Sequence, residues 1–241
     1  PDFSYSSLLQ LFCNLLYDYH RDLDSPKDLL RSLKRRSFDD WQRYFSKMKN
    51  DHLNERRQHR YNESLNTKKL DKRLTELTES YEALLVVSIE LSYIPNVNIQ
   101  RVEDDLERFL RKVKRSKYGD DVLLLVWALE QGSKSKGYHC HVAFIFDERD
   151  RIGAWTIAND MGELWEDITD GDGRYFNCHD RRYLKQYEEN GVVGIGVIYS
   201  KLPYQVKKMR SVVTYSARPE KEQHLRIKTT KKMKTFGMSQ R

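Results

Sequence analysis

The chain has 241 residues, of which 39% are hydrophobic and 33% charged, with a mean hydropathy of −0.80; this is enough for one large domain or two small ones and too long for a stapled mini-protein. Twenty-eight Tyr, Phe and Trp residues against sixteen Gly and Pro exclude a disordered or fibrous chain, and no window approaches the eighteen consecutive apolar residues of a membrane span. Lys and Arg exceed Asp and Glu by seven, but the excess is concentrated: residues 199–241 carry twelve Lys or Arg against Glu220 and Glu222, leaving the remainder slightly acidic.

In chain order, apolar residues at helical spacing in Leu8, Leu9, Leu11, Phe12, Leu15 and Leu16 predict a first helix. Asp24, Ser25 and Pro26 form a start signal for a second helix through Leu33, and Ser37 to Met48 and Thr67 to Tyr81 read as further helices. The segment from Lys49 to Asn66 is so polar that it fits either a solvated helix or a linker. No strand signal occurs in this region, which is expected to be a helical N-terminal region over residues 1–81.

At Ala83 the texture changes. ALLVVSIELSY is rich in β-branched and apolar residues and ends at Ile94, Pro95 and Asn96, as a strand does. Asn98 to Ser116 returns to helical spacing. Val122 to Glu130 is a strand, the turn from Gly132 to Gly137 follows, and His139 to Phe146 is the returning strand of a hairpin. A helix from Ala154 to Ile168, an irregular stretch over Asp170 to Asn190, a strand from Val192 to Tyr199 and a helix from Pro203 to Ala217 complete the order βαββαβα. That order predicts an α+β fold over residues 82–241, an antiparallel sheet of ferredoxin-like βαββαβ type ending in a basic tail.

His139 and His141 carry most of the chemical information. Strand side chains at i and i+2 point from the same face, so both imidazoles can reach one ion, while Cys140 points the other way into packing. With the turn centred between Lys134 and Ser135, Glu130 lies directly across from His139 on that face. Two imidazoles and a carboxylate with open positions suit Mn or Mg acting on a phosphate, whereas sulfur-rich ligands would indicate structural zinc. A packed or exposed polar pair is the alternative for a bare His-x-His.

The same residues carry a resemblance. WALEQGSKSKGYHCHVAFIF resembles the histidine-hydrophobe-histidine motif of the HUH endonucleases, and in detail it is similar to the inovirus gene II type replication proteins and their prophage relatives, with Cys140 in the middle position. The likeness continues through GELWEDITD, GVVGIGVIY and YQVKKMRSVVTYSARPEKEQ to KKMKTFGMSQ, covering about Leu84 to Gln240, with nothing comparable in the first third. It implies a helix-borne tyrosine that attacks a metal-held phosphate, giving a 5′-phosphotyrosine link and a free 3′-hydroxyl able to prime synthesis.

Tyr215, in TYSAR, occupies the place of the family's Tyr-x-x-Lys tyrosine, and Arg218 stands where its lysine would be; arginine keeps the charge but is a poorer proton donor. Tyr204 is the rival nucleophile, because Tyr204 to Lys207 matches Tyr-x-x-Lys literally. The two lie eleven residues apart and can share a helix face. Lys207 joins Tyr215 and Arg218 in the expected catalytic set, and Lys201, Lys208 and Arg210 are expected DNA contacts within the basic tail. For charge alone, a solvated face is the alternative.

The resemblance thus implies metal-dependent, sequence-specific nicking and joining of single-stranded or hairpin origin DNA, initiating rolling-circle replication of a phage, plasmid or integrated mobile element. A conjugative relaxase or transposase would use the same chemistry, and a non-catalytic DNA-binding regulator is the other class. No GxxxxGK[ST] loop is present, so a separate host helicase and polymerase are the expected partners, with no membrane. Cys13, Cys140 and Cys178 form no CxxC spacing, and no basic segment followed by an apolar run opens the chain, so the cytoplasm is the expected compartment. Cys178 beside His179 reads as a surface pair, Asp170 and Asp172 as a turn, and His20, His52, His59 and His224 have no partners at metal spacing.

Overall fold

The computed structural model describes residues 3–19, 25–94, 97–132, 137–150, 153–189, 193–215, 217 and 224–239. In chain order the elements are β1 (Ser4–Tyr5), α1 (Ser7–Tyr19), α2 (Pro26–Leu33), α3 (Phe38–Ser80), β2 (Ala83–Tyr93), α4 (Ile99–Arg115), β3 (Leu124–Gln131), β4 (Tyr138–Asp147), α5 (Ala154–Ile168), β5 (Gly173–Asn177), α6 (Arg181–Glu189), β6 (Gly196–Tyr199), α7 (Pro203–Tyr215), β7 (Ile227–Lys228) and β8 (Phe236–Met238). The chain divides into two compact units, Pro1–Asn62 with Arg226–Lys231 and Glu63–Leu225 with Lys232–Arg241. The division falls inside α3, whereas the change in composition falls at Ala83, where β2 begins.

In the first unit, Ser25 caps α2 by accepting from the Asp28 amide, and Pro26 opens the helix where its missing N–H is not needed. Ser37 and Asp40 cap α3 reciprocally, the Ser37 hydroxyl accepting from the Asp40 amide at 3.1 Å and the Asp40 carboxylate from the Ser37 amide at 3.2 Å. Trp41 organises the local packing: it stacks on Phe45, meets Tyr44 edge-on and lies under the Arg36 guanidinium. β1 and β7 pair antiparallel, a contact that no strand signal in residues 1–81 predicts.

Of the two readings of Lys49 to Asn66, a solvated helix or a linker between helices, the structure has the helix. α3 is one continuous helix of 43 residues. The intervening polar segment holds as a solvated helix because its Lys, Glu, Arg, Gln and Leu residues favour helix and no Gly or Pro breaks it.

The second unit is an α+β layer structure. Its antiparallel sheet has the order β5-β2-β4-β3-β8, with β6 pairing the first half of β2 (Ala83–Val86) where β5 pairs the second (Ile89–Tyr93). One face is apolar along its length: Val87, Ile89 and Leu91 of β2, Phe144 and Phe146 of β4 and Leu129 of β3 are buried. The helices α4 and α5 are joined by Phe109 edge-on to Trp165, which in turn meets Tyr93 and donates from its indole to the Ser92 carbonyl.

The other face is divided along the strands. Leu84 and Val86 of β2, Ile145 of β4 and Leu124 and Val126 of β3 form one core with Leu70, Leu74 and Leu77 of α3 and Met209 and Val213 of α7. Further along the same strands, at the same alternation, stand Glu90, His139, His141 and Glu130. One end of this face is therefore roofed by two helices and the other end carries polar side chains.

Two further expectations change. The stretch over Asp170 to Asn190 is not irregular: after a turn in which Asp170 and Gly171 both take positive φ, it forms β5 and α6. None of the α6 residues is buried, and its nine residues are too short a run for Tyr183, Leu184 and Tyr187 alone to establish a helical period. The C-terminal basic segment contributes β8, which pairs with β3 and brings Phe236 and Met238 to the roofed core.

Candidate metal centre

The hairpin register places Glu130 opposite His139, as the sequence requires for a shared face. The turn residues Lys134 and Ser135 that fixed this expectation lie outside the described residues. Glu130 and His139 are buried at 3% and 1% exposure, and His141 is partly open. Glu130 Oε2 lies 3.3 Å from His139 Nε2 and 3.8 Å from His141 Nε2, and ligand atoms of all three lie within 4.8 Å of one another.

His139 Nε2 is buried without a hydrogen-bond partner, while its Nδ1 faces the Gly137 carbonyl at 3.5 Å. A carbonyl only accepts, so the Nδ1 proton is placed on that side and the Nε2 lone pair points toward Glu130 and His141. Burial of an unpaired ring nitrogen beside a buried carboxylate costs free energy unless a cation joins them. The donor set of two imidazoles and one carboxylate fits a divalent ion that keeps open positions.

A fourth residue belongs to this site and was missed from the sequence. Glu90 of β2 pairs across from His141, and its Oε2 lies 3.9 Å from His141 Nδ1, on the ring edge opposite Glu130. The available signal was a carboxylate inside an otherwise apolar strand, at the same alternation as Ser88 and Ser92. Its use depends on β2 lying beside β4, a long-range pairing that local periodicity does not reveal.

α7 is placed by the same sheet. β6 runs from Gly196, opposite Val86, to Tyr199, opposite Ala83, and the Ser200 amide then bonds the Glu82 carbonyl. α7 returns alongside β6, so closely that a Cβ on Gly194 would meet the Lys208 carbonyl and come within 2.7 Å of Val212 Cγ2. The helix therefore runs from the Ala83 end of β2 toward its Glu90 end, with Tyr204 at its start and Tyr215 at its finish.

Tyr215, Lys207 and Arg210 line a groove of about 700 Å³ with Asp71 and Thr78 of α3. Arg210 is turned onto α3, donating to the Asp71 carbonyl at 3.2 Å and to Thr75 Oγ1 at 2.8 Å. Lys208 Nζ sits 5.3 Å from the Tyr204 ring centroid, and Lys201 Nζ lies 3.5 Å from Glu82 in an exposed pair. Arg218 lies outside the described residues.

Cys178 and His179 are not a surface pair. His179 is buried, its Nε2 accepts from the Ser88 amide at 3.0 Å, and desolvation pushes its pKa down to about 4. Burial raises the Cys178 and Cys140 thiols, which leaves both as packing groups. Asp172 pairs with Arg101 at 2.7 Å beside the expected turn.

Comparison of the chain with protein-family models, with curated proteins and with solved structures finds no match. Among the described residues, no helix is long and apolar enough to cross a membrane.

Proposed function

We propose that the protein is a metal-dependent single-strand DNA endonuclease and strand transferase of HUH type, acting through a tyrosine nucleophile to initiate rolling-circle replication of a mobile element. The observation that supports this reading is the shared sheet face: Glu130, His139 and His141 occupy its open end, and its other end is roofed by α7, the helix that carries Tyr215. The strand order β5-β2-β4-β3, with α4 and α5 as the connections, supports a ferredoxin-like core, since it is the order a βαββαβ chain takes when its hairpin is central. A pure binding module has no need of a buried carboxylate and two imidazoles converging on one point.

Glu130, His139 and His141 would hold the ion, which supplies Lewis-acid stabilisation of charge on the scissile phosphate. Tyr215 Oη attacks phosphorus as it loses its proton, the bond from phosphorus to the 3′-oxygen breaks, and that oxygen leaves as a 3′-hydroxyl after taking up a proton. The 5′-phosphate stays esterified to Tyr215, which conserves the diester energy for the reverse, joining step. Lys207, on the groove that Tyr215 lines, stabilises phosphate charge, and Arg218 takes the same role by the family register. Origin DNA is the substrate, and unwinding falls to a separate helicase.

A denaturing gel of the protein with single-stranded origin DNA and Mn tests the reading. A covalent adduct in wild type and Tyr204→Phe that is lost in Tyr215→Phe supports both chemistry and nucleophile. Loss only in Tyr204→Phe overturns the assignment of Tyr215, and no adduct in wild type overturns the nuclease.

A further inference from the structure

We infer that Phe176, Tyr183 and Tyr187 form a platform on which single-stranded DNA stacks its bases next to the metal centre, with the exposed Arg181, Arg182 and Lys185 on the helix that bears the two tyrosines; this rests on the nuclease reading above. The placement follows from register. Ala128, His141, Glu90 and Phe176 stand in one cross-strand row over β3, β4, β2 and β5, so Phe176 shares the face of the metal ligands and lies two strands from His141, about 10 Å away.

The Phe176 ring meets Tyr183 edge-on at 4.8 Å, and Tyr183 lies 4.9 Å from Tyr187 with their hydroxyls 3.0 Å apart. These rings are not core: Phe176 is 42% and Tyr187 36% exposed, and α6 buries no residue at all. Three linked aromatics, two of them on a helix that buries no residue, are a poor use of apolar area unless something covers them. Arg181, Arg182 and Lys185 are exposed on the same helix, with Glu188 and Glu189 confined to its far end and Lys185 4.0 Å from Glu189.

Exposed aromatic faces together with a helix that carries exposed cations match the bases and phosphates of a single strand, whose bases are free to splay out. A folded protein partner would be met by a contiguous apolar patch instead. The tyrosines act through their rings: burial, the Tyr187 hydrogen bond and the charge of Glu90 raise the Tyr183 phenol, so it stays protonated and is no rival to Tyr215 as nucleophile.

The test is fluorescence anisotropy with a labelled oligothymidylate of about 15 nucleotides, using the whole chain in EDTA and again in Mn. Phe176→Ala and Tyr187→Ala are each expected to weaken binding about tenfold, while Tyr187→Phe, which keeps the ring, stays within about twofold of wild type. Mn affinity by calorimetry should be unchanged in all three. Wild-type affinity in the alanine variants, equal losses in Tyr187→Phe and Tyr187→Ala, or no binding by wild type overturns the platform. Adduct formation scored in parallel judges the nuclease separately: alanine-sensitive binding without any adduct upholds the platform and overturns the nuclease.

Discussion

His141 stands between two carboxylates, with Nε2 3.8 Å from Glu130 and Nδ1 3.9 Å from Glu90. The two contacts divide the ring's work: the carboxylate facing Nδ1 at 3.9 Å is beyond hydrogen-bond reach but favours the proton on that nitrogen electrostatically, leaving the Nε2 lone pair on the side of Glu130 and His139. Glu90 is thus a positioning residue. Glu90→Gln should lower Mn affinity about 10- to 100-fold by isothermal calorimetry, while Glu130→Ala abolishes measurable binding. Equal affinities for Glu90→Gln and wild type would show that His141 is oriented without it.

The unpartnered His139 Nε2 predicts a linkage between metal and stability. An ion that binds only the folded chain stabilises it by about 2.7 kcal/mol at a hundredfold excess over Kd, a rise of about 5–10 °C in Tm for a chain of this size. Differential scanning fluorimetry should show that rise with Mn in wild type and none in His139→Ala. If both respond alike, the ion binds elsewhere.

The parts of this arrangement that sequence revealed are those set by local periodicity. ALLVVSIELSY is β2 from end to end, α5 has the expected bounds, and the two-residue repeat brought Glu130 and His139 to one face before any coordinates. What stayed hidden depends on pairing between distant segments or on elements without a buried side. Glu90 meets His141 only because β2 lies against β4, β7 and β8 are strands of two and three residues that exist through their partners, and α6 is nine residues long with none of them buried. The continuity of α3 is undecided in the sequence because a polar interior erases the apolar period that would distinguish a helix from a linker.

His179 makes stability depend on pH. Its folded pKa is about 4, against an ordinary value of 6.5, because desolvation penalises the imidazolium. The unfolded chain therefore binds the proton more tightly than the folded one. The contribution, on the order of 3 kcal/mol, is fully present above pH 6.5 and is lost as pH falls through about 4. His179→Gln keeps an acceptor for the Ser88 amide but does not titrate. Urea midpoints between pH 7.5 and 4.5 should fall more steeply for wild type than for this variant; parallel slopes would mean that His179 is not held neutral.

Gly194 tests the link between the fold and Tyr215. A methyl group there meets the Lys208 carbonyl and Val212, neither of which is a flexible side-chain end, so α7 must move off β6. Overpacking of this kind costs about 1–3 kcal/mol, and a displacement near 1 Å at a reacting group lowers rate about 100-fold. Gly194→Ala should therefore cut adduct formation far more than its loss of stability explains, with Mn affinity within about twofold of wild type because the hairpin ligands are untouched. Gly171→Ala is the matched control: it is strained by a φ of +82° but meets no neighbouring atom, and should cost about 1 kcal/mol with adduct yield retained. Equal effects of the two substitutions on the adduct would show that α7 does not set the position of the nucleophile.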